Sequence, residues 1–157
     1  MADKDDKDLR DLTVEDVFEM ISGKPAIVKK DSVIKDAVEA ITQSPTSRKV
    51  YVVDDGMKLM GMITIETLLR HVGYRVGVRE GGMISFFKFL TGILKDDVTE
   101  IMEKPATITK RHKMIDVLEM MVEHHLNDLP IVDDEDRIVG ELHSLEILAY
   151  TKNFFEE

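Results

Sequence analysis

Two groups of side chains in the sequence have residue types that could bind metal ions. Four consecutive carboxylates, from Asp133 to Asp136, could attract Mg²⁺ or Ca²⁺, but they lack the alternating acidic spacing of a calcium-binding loop. We interpret them as a solvated hairpin turn. His124 and His125 are adjacent on a predicted helix and therefore point in different directions, which disfavours a shared metal ion. These two groups therefore predict no metal site.

No catalytic motif is recognisable in the sequence. Serine, histidine and aspartate are all present, but no nucleophile-elbow motif surrounds a serine, and Gly81-Gly82 lacks the context of a phosphate-binding loop. The chain contains no cysteine, which excludes disulfides, thiolate zinc sites, iron–sulfur clusters and a cysteine nucleophile. We therefore expect a protein that is not an enzyme, has no catalytic residues and requires no cofactor.

The composition limits the partners and the location of the protein. The 157 residues include 31 acidic and 21 basic side chains, which gives a net charge of −10. This balance argues against nucleic-acid binding, which requires clustered positive charge. The longest apolar stretch, Met83 to Leu94, is too short to span a bilayer and contains Lys88. The charged first residues do not resemble a signal peptide, so we expect a cytoplasmic protein.

An internal duplication organises the sequence. The segment Lys24-Pro25-Ala26 recurs as Lys104-Pro105-Ala106, at an offset of 80 residues. Four further blocks recur in the same order at offsets of 79 to 81 residues; they begin at Val17, Asp36, Val50 and Gly61 and match blocks at Val98, Asp116, Leu129 and Gly140. Chance similarity between apolar runs would not preserve the order of five blocks, so we infer a true repeat.

Each copy predicts the order helix–strand–helix–strand–strand–helix. Thr13 with Asp16 forms a predicted capping box for the first helix, and Ser32 is the predicted N-cap of the next. A single copy would leave an apolar face exposed, so the copies are expected to pack together. The predicted strands are Ala26–Val28, Val50–Val53 and Leu59–Ile63, and then Thr107–Thr109, Leu129–Val132 and Ile138–Leu142.

These features together resemble the CBS domain, named after cystathionine β-synthase, in tandem. The resemblance rests on the Lys-Pro-Ala openings, the strand from Leu129 to Asp133, and the strand ends that follow Gly61 and Gly140. It implies an α/β (α+β) fold in which two βαββα repeats pack as a pseudo-two-fold pair, joined by a long, partly helical linker. The expected organisation is an acidic tail at 1–11, repeats at 12–72 and 97–152, the linker with its apolar helix at 73–96, and a C-terminal tail at 153–157.

The resemblance also implies a function. Such pairs are non-catalytic regulatory modules that bind adenosine-containing ligands, such as AMP, ADP or ATP, in clefts between the repeats. They commonly dimerise, and they regulate another protein, such as an enzyme or a transporter. Two alternatives remain open: a scaffold without ligand that assembles through the linker helix, and a divalent-metal sensor that uses its acidic surface.

The resemblance places the main ligand contacts where the third strand of each copy ends. The family has a hydroxyl there for phosphate and, three residues later, an aspartate for the ribose. The first copy has Thr64 but carries Thr67 in place of aspartate, whereas the second has His143 in place of the hydroxyl and Glu146 in place of aspartate. Because Glu146 can accept hydrogen bonds from a ribose, and a protonated His143 could neutralise phosphate, the second copy is the better candidate. Helix capping is the alternative role for Thr64 and Ser144.

The other ligand residues implied by the resemblance lie on the first and second strands. Pro130 has no N–H and leaves room for a flat ring, whereas Tyr51 could stack on a base or fill the core itself. The remaining contacts use mostly backbone groups and come from Ala26, Ile27, Ala106, Thr107 and Ile108.

The linker contains the most apolar segment of the chain. Phe86, Phe89, Leu90 and Ile93 follow helical spacing, and neighbouring apolar residues widen this stripe nearly around the helix. Such a helix needs cover, either within the pair, at a homodimer interface or on a partner protein. We expect a homodimer that uses or shields the linker.

Overall fold

The structure is a computed structural model that describes residues 10–20, 24–44, 47–76 and 82–152, without the side chains of 74–76 and 84–86. Most of the predicted N-terminal tail, the C-terminal tail, linker residues 77–81 and the side chain of Phe86 lie outside this range. In chain order the elements are α1 (Val14–Phe18), β1 (Ala26–Lys29), α2 (Ile34–Gln43), β2 (Lys49–Val53), β3 (Leu59–Thr64), α3 (Ile65–Val76), α4 (Met83–Leu94), a 3₁₀ turn (Val98–Glu100), α5 (Met114–Glu123), β4 (Asp128–Val132), β5 (Ile138–His143) and α6 (Ser144–Lys152).

The chain forms two compact units, and these units divide it differently from the two sequence repeats. The continuous unit runs from Pro25 to Pro105, whereas the discontinuous unit combines the chain up to Lys24 with the chain from Ala106 onward. Helix α1 therefore belongs to the unit built mainly from the second repeat, and the 3₁₀ turn belongs to the unit built from the first.

Backbone hydrogen bonds attach both exchanged segments in the same way. In the discontinuous unit the Val14 N–H donates to the His112 carbonyl at 2.9 Å, and the Met114 N–H donates to the Leu12 carbonyl at 2.8 Å. In the continuous unit, the Ile34 N–H donates to the Asp96 carbonyl at 2.9 Å, and the Val98 N–H donates to the Ser32 carbonyl at 3.1 Å. The duplication thus extends to the way each repeat receives a segment from the other.

The continuous unit has a three-stranded sheet in the order β1-β2-β3. Strand β1 is parallel to β2, and β3 is antiparallel to β2. Every residue of the central strand β2 is buried, as its unbroken apolar run from Val50 to Val53 predicts. The hydrophobic core of this unit also includes residues from both neighbouring strands, from α2 and from the 3₁₀ turn: Ala26, Val28, Ala37, Ile41, Ile63 and Val98.

The discontinuous unit has an antiparallel pair, β4 and β5, where the first repeat has three strands. The strand predicted at Thr107–Thr109 is reduced to a single parallel bridge between Ile108 and Ile131. The Ile108 N–H donates to the Pro130 carbonyl at 3.0 Å, and the Val132 N–H donates to Ile108 at 2.8 Å. Since Pro130 occupies the position of Tyr51 and has no N–H to donate, the ladder is interrupted there.

The helix starts agree with the sequence at α1 and differ at α2. At α1 the predicted capping box is present, because the Thr13 N–H and hydroxyl both donate to the Asp16 carboxylate at 2.9 Å. At α2, Ser32 is not the N-cap. That position is Val33, whose N–H donates to the Asp36 carboxylate at 3.0 Å, while the carbonyl of Ser32 accepts the bond from Val98.

The two predicted hairpins have matching turns. In the first turn, Asp54 Oδ1 accepts the N–H groups of Gly56 and Lys58, each at 2.9 Å. In the second turn, Asp133 Oδ1 accepts the N–H groups of Glu135 and Arg137 at the same distance. Met57 and Asp136, at equivalent positions, have left-handed φ angles of 67° and 61°. The backbone N–H of Arg137 is the main reason why the pKa of Asp133 is lowered. The four carboxylates at 133–136 thus lie in a hairpin turn, as predicted from the sequence.

The apolar linker segment forms the predicted helix. Helix α4 packs against α2 and α3 in the continuous unit, and its Ile93 is buried, whereas Phe87 is 60% exposed. Within the described part of the chain, no helix is long and apolar enough to cross a membrane.

Candidate functional site

In the continuous unit, the predicted ligand residues converge on one edge of the sheet. Ala26 is in register with Val50, and Thr64 is in register with Lys49, so the starts of β1 and β2 lie beside the end of β3. Ile27 is the register partner of Tyr51 one step further along the strands. The strand order therefore brings together residues that are up to about forty positions apart in sequence.

The hydroxyl groups at this edge are engaged with each other and with a helix start. Thr64 Oγ1 accepts the Thr67 N–H at 3.0 Å and lies 2.9 Å from Thr67 Oγ1. This is the helix-capping role considered for Thr64. Tyr51 is fully buried, which is the core-filling arrangement considered for its ring. With Thr67 in place of an aspartate, this edge offers a ribose no carboxylate from that position.

In the discontinuous unit, the predicted residues converge on the equivalent edge. His143 ends β5 in register with Asp128, and Ser144 begins α6 with its N–H donating to the Asn127 carbonyl at 2.8 Å. Glu146 lies in the first turn of α6, where the helix dipole favours a carboxylate. On the neighbouring segment Ile108 is buried, whereas Ala106 and Thr107 are exposed.

His143 is held between two acidic side chains. Its Nε2 lies 2.9 Å from Glu141 Oε1, and its Nδ1 lies 3.9 Å from Asp128 Oδ2. The hydrogen bond to Glu141 is the main reason why the pKa of His143 is raised; burial opposes this effect, and the charges of Glu141, Glu146 and Asp128 add to it. A positive charge on this imidazole is therefore already balanced by nearby carboxylates before any phosphate is bound.

Asp128 and Glu141 were not predicted as site residues. Both are buried, and Glu141 is fully so. The available signal is the two-residue period of a strand, which places 141 and 143 on one face of β5 and 128 and 130 on the paired face of β4. The first copy has Lys49, Met62 and Thr64 at the equivalent positions. The acidic and imidazole side chains are therefore specific to the second copy, which is a further indication in the sequence that they have a role there.

The discontinuous unit also contains a largely apolar groove of about 570 Å³ that the sequence did not predict. Residues from the N-terminal segment, α5, β5 and α6 line it, including Leu12, Val17, Met114, Leu142 and Tyr150. Glu146, the predicted ribose-binding carboxylate, is part of the same lining. Its charge also acts on His143, so Glu146 is close both to the strand edge and to the groove.

The two units share the succession helix–strand–strand–helix, as α2-β2-β3-α3 in one and α5-β4-β5-α6 in the other, which defines a tandem-repeat α/β protein. The family model of the CBS domain matches the chain at residues 14–74 and again at residues 98–153. The chain therefore belongs to the CBS domain family and contains a tandem pair.

Solved structures with the same fold include one at substantial sequence identity. A CBS domain-containing protein from Thermotoga maritima is 33% identical, with a TM-score of 0.71, over 94% of this chain and 99% of that one. CBSX2 in complex with AMP is 19% identical, with a TM-score of 0.67, over 92% and 99% of the two chains. The CBS domain pair of protein MJ0100, in complex with 5′-methylthioadenosine and S-adenosyl-L-methionine, is 20% identical, with a TM-score of 0.65, over 86% and 98%. A comparison with curated proteins finds no match.

Proposed function

We propose that this protein is a non-catalytic regulatory module that binds an adenosine-containing ligand. The observation that carries the proposal is a tandem CBS pair whose second repeat keeps a carboxylate, Glu146, at the ribose position. Two proteins of the same fold support the ligand class, since one is in complex with AMP and another with methylthioadenosine and S-adenosylmethionine. The cysteine-free composition supports a reducing, cytoplasmic location.

The charges near the second-repeat edge favour recognition through the ribose and the base. Asp128, Glu141 and Glu146 all act on His143, so carboxylates outnumber the imidazole there. A carboxylate accepts hydrogen bonds from ribose hydroxyls, whereas it repels a phosphate group. We therefore expect the adenosine moiety to supply more of the affinity than the phosphates.

A thermal-shift panel tests this proposal, because a ligand that binds only the native state raises its stability. The panel contains AMP, ADP, ATP, NAD, methylthioadenosine and S-adenosylmethionine. We expect at least one compound to raise the melting temperature, and Glu146→Gln to weaken its binding about tenfold to a hundredfold, as expected for loss of a charge-assisted hydrogen bond. Thr67→Ala should weaken binding less. The control variant is Glu123→Gln, which removes an exposed carboxylate on α5. If no adenosine compound acts at millimolar concentration, the ligand-free scaffold replaces the sensor.

We further propose that the protein is a homodimer. Helices α5 and α6 expose apolar side chains at helical spacing, with Val122 74% and Leu145 76% exposed, and with Ile115, Leu118 and Leu148 also exposed. An apolar surface of this kind is unusual on a monomer and suits a self-complementary two-fold interface.

Light scattering should give a mass near twice the 17.9 kDa of one chain. Val122→Glu with Leu148→Glu is expected to produce a folded monomer. Phe87→Glu on α4 is the comparison variant, and it should leave the dimer intact if α5 and α6 form the interface. A wild-type monomer at micromolar concentration would contradict the dimer, and dissociation by Phe87→Glu alone would move the interface to the linker helix.

The scaffold remains the second candidate because Thr67 stands where the family has an aspartate. In that case the module would act on a regulated enzyme or transporter through its surface and without a nucleotide. The panel described above separates the two functions.

A further inference from the structure

Three side chains capable of metal coordination meet on one face of the β4–β5 hairpin. Asp128 is the cross-strand partner of His143, and Glu141 lies two residues before His143 on the same face. One ligand atom from each of the three residues can be chosen so that all lie within 4.8 Å of one another. The antiparallel register thus brings together a carboxylate from β4, a carboxylate from β5 and an imidazole.

The burial of these groups distinguishes them from an acidic surface patch. Asp128 is 7% exposed, Glu141 is 0% exposed, and the side chain of His143 is 15% exposed. Buried charged groups are rare unless they are paired or coordinate a metal ion, and here both carboxylates already face the imidazole of His143. All three differ from their equivalents in the first repeat, where Lys49, Met62 and Thr64 cannot form such a donor set.

We propose that Asp128, Glu141 and His143 bind a divalent transition-metal ion such as Zn²⁺. Two carboxylate oxygens and one imidazole nitrogen form a mixed donor set that suits Zn²⁺ or Mn²⁺ better than Ca²⁺, which prefers oxygen ligands alone. A further position is left for water or for a ligand atom, as in open zinc sites.

The distances between the donor groups are compatible with this ion. Zinc bonds to oxygen and nitrogen are about 2.0–2.2 Å long, which places tetrahedral ligand atoms about 3.4 Å apart. Glu141 Oε1 lies 2.9 Å from Nε2 of His143, whereas Asp128 Oδ2 lies 3.9 Å from the other ring nitrogen, Nδ1. One ligand atom from each residue already lies within 4.8 Å of the other two, so side-chain rotations that turn a single imidazole nitrogen toward both carboxylates would complete the donor set around an ion. The excess of carboxylates over imidazole supplies the negative charge that a dication requires.

Titration of the full-length protein with ZnCl₂, followed by calorimetry and melting temperature, tests the site. The titration contains no nucleotide, so its outcome is independent of the proposed sensor function. We expect one Zn²⁺ per chain, a higher melting temperature and weaker binding of CaCl₂. His143→Gln and Glu141→Gln should each weaken Zn²⁺ binding by at least about tenfold. The control is Asp134→Asn, which removes a carboxylate from the acidic hairpin turn and should leave binding unchanged.

Co²⁺ provides a direct readout of the donor set. Bound in place of Zn²⁺, it should show a visible absorption band that is lost in His143→Gln, a variant at a partly exposed position that is expected to fold even if Glu141→Gln does not. Failure to bind Zn²⁺ below millimolar concentration would overturn the proposal. Binding that survives both His143→Gln and Glu141→Gln but is lost in Asp134→Asn would assign the ion to the acidic turn instead.

Discussion

Val17→Ala is expected to destabilise the discontinuous unit by about 2–3 kcal/mol, although residue 17 belongs to the first sequence repeat. Val17 is buried in a core with Ile108, Met114 and Leu129, so its truncation leaves a cavity among residues of the second repeat. Hydrogen exchange should show the loss of protection in β4, β5, α5 and α6, with a smaller change in β1, β2 and β3.

The matched variant is Val98→Ala, at the equivalent position of the second repeat. Val98 is buried among Val28, Ala37 and Val50, so its truncation should reduce protection in the continuous unit instead. A loss of protection mainly in each variant's own sequence repeat would contradict the exchange of segments between the two units.

Gly61→Ala is expected to destabilise the protein by about 1–3 kcal/mol through overpacking. A Cβ atom at this position would lie 2.7 Å from Met102 Sδ and 3.0 Å from Met102 Cβ, so a side-chain rotation alone cannot relieve the contact. Gly140→Ala, its repeat equivalent, should cost less because the nearest atom, Phe18 Cε2, is 3.2 Å away. Urea unfolding of each variant measures the loss in the free energy of unfolding.

Two further variants test whether the close contact with Met102 causes the loss of stability in Gly61→Ala. Gly73→Ala lies in α3 with no atom within 4 Å of the added Cβ, so it should stabilise the protein by up to about 1 kcal/mol. Adding Met102→Ala to Gly61→Ala should recover part of the loss, giving a coupling energy between the two positions. Equal effects of alanine at 61 and at 73, or no coupling with Met102, would show that the close contact is not the cause.

Much of the fold could be predicted because its signals are local. The apolar runs of β2 and β4 and the Asp-rich turns after them predicted both hairpins, and the apolar stripe predicted α4. The exchange of α1 and the 3₁₀ turn between units was not predicted, because an amphipathic segment does not specify which copy of a duplicated core it packs against. The start of α2 is displaced by one residue because the Asp36 carboxylate accepts the N–H of Val33, which makes Val33 the N-cap instead of Ser32.

Some residues of the candidate site could be predicted from the sequence, and their role in ligand binding remains a proposal. The family pattern selected Thr64, His143 and Glu146; the strand registers place Thr64 and His143 at the ends of β3 and β5, and Glu146 lies in the first turn of α6. Asp128 and Glu141 fall outside that pattern, since their importance depends on cross-strand neighbours. Only the pairing of β4 with β5 reveals that they meet the imidazole of His143.

The exchanged helix α1 has a consequence for synthesis on the ribosome. The continuous unit, Pro25 to Pro105, is complete in sequence before the segment from Ala106 onward is made. Helix α1 is made before this unit, yet its core partners come from the chain after Ala106, and the ion pair between Asp11 and Lys113 spans 102 residues of sequence. During this interval Val14 and Val17 have no native core to enter, so the nascent chain presents a short apolar segment to which chaperones can bind. We therefore expect the docking of α1 against residues that are made much later to be a late step of folding, because contacts between segments distant in sequence form slowly.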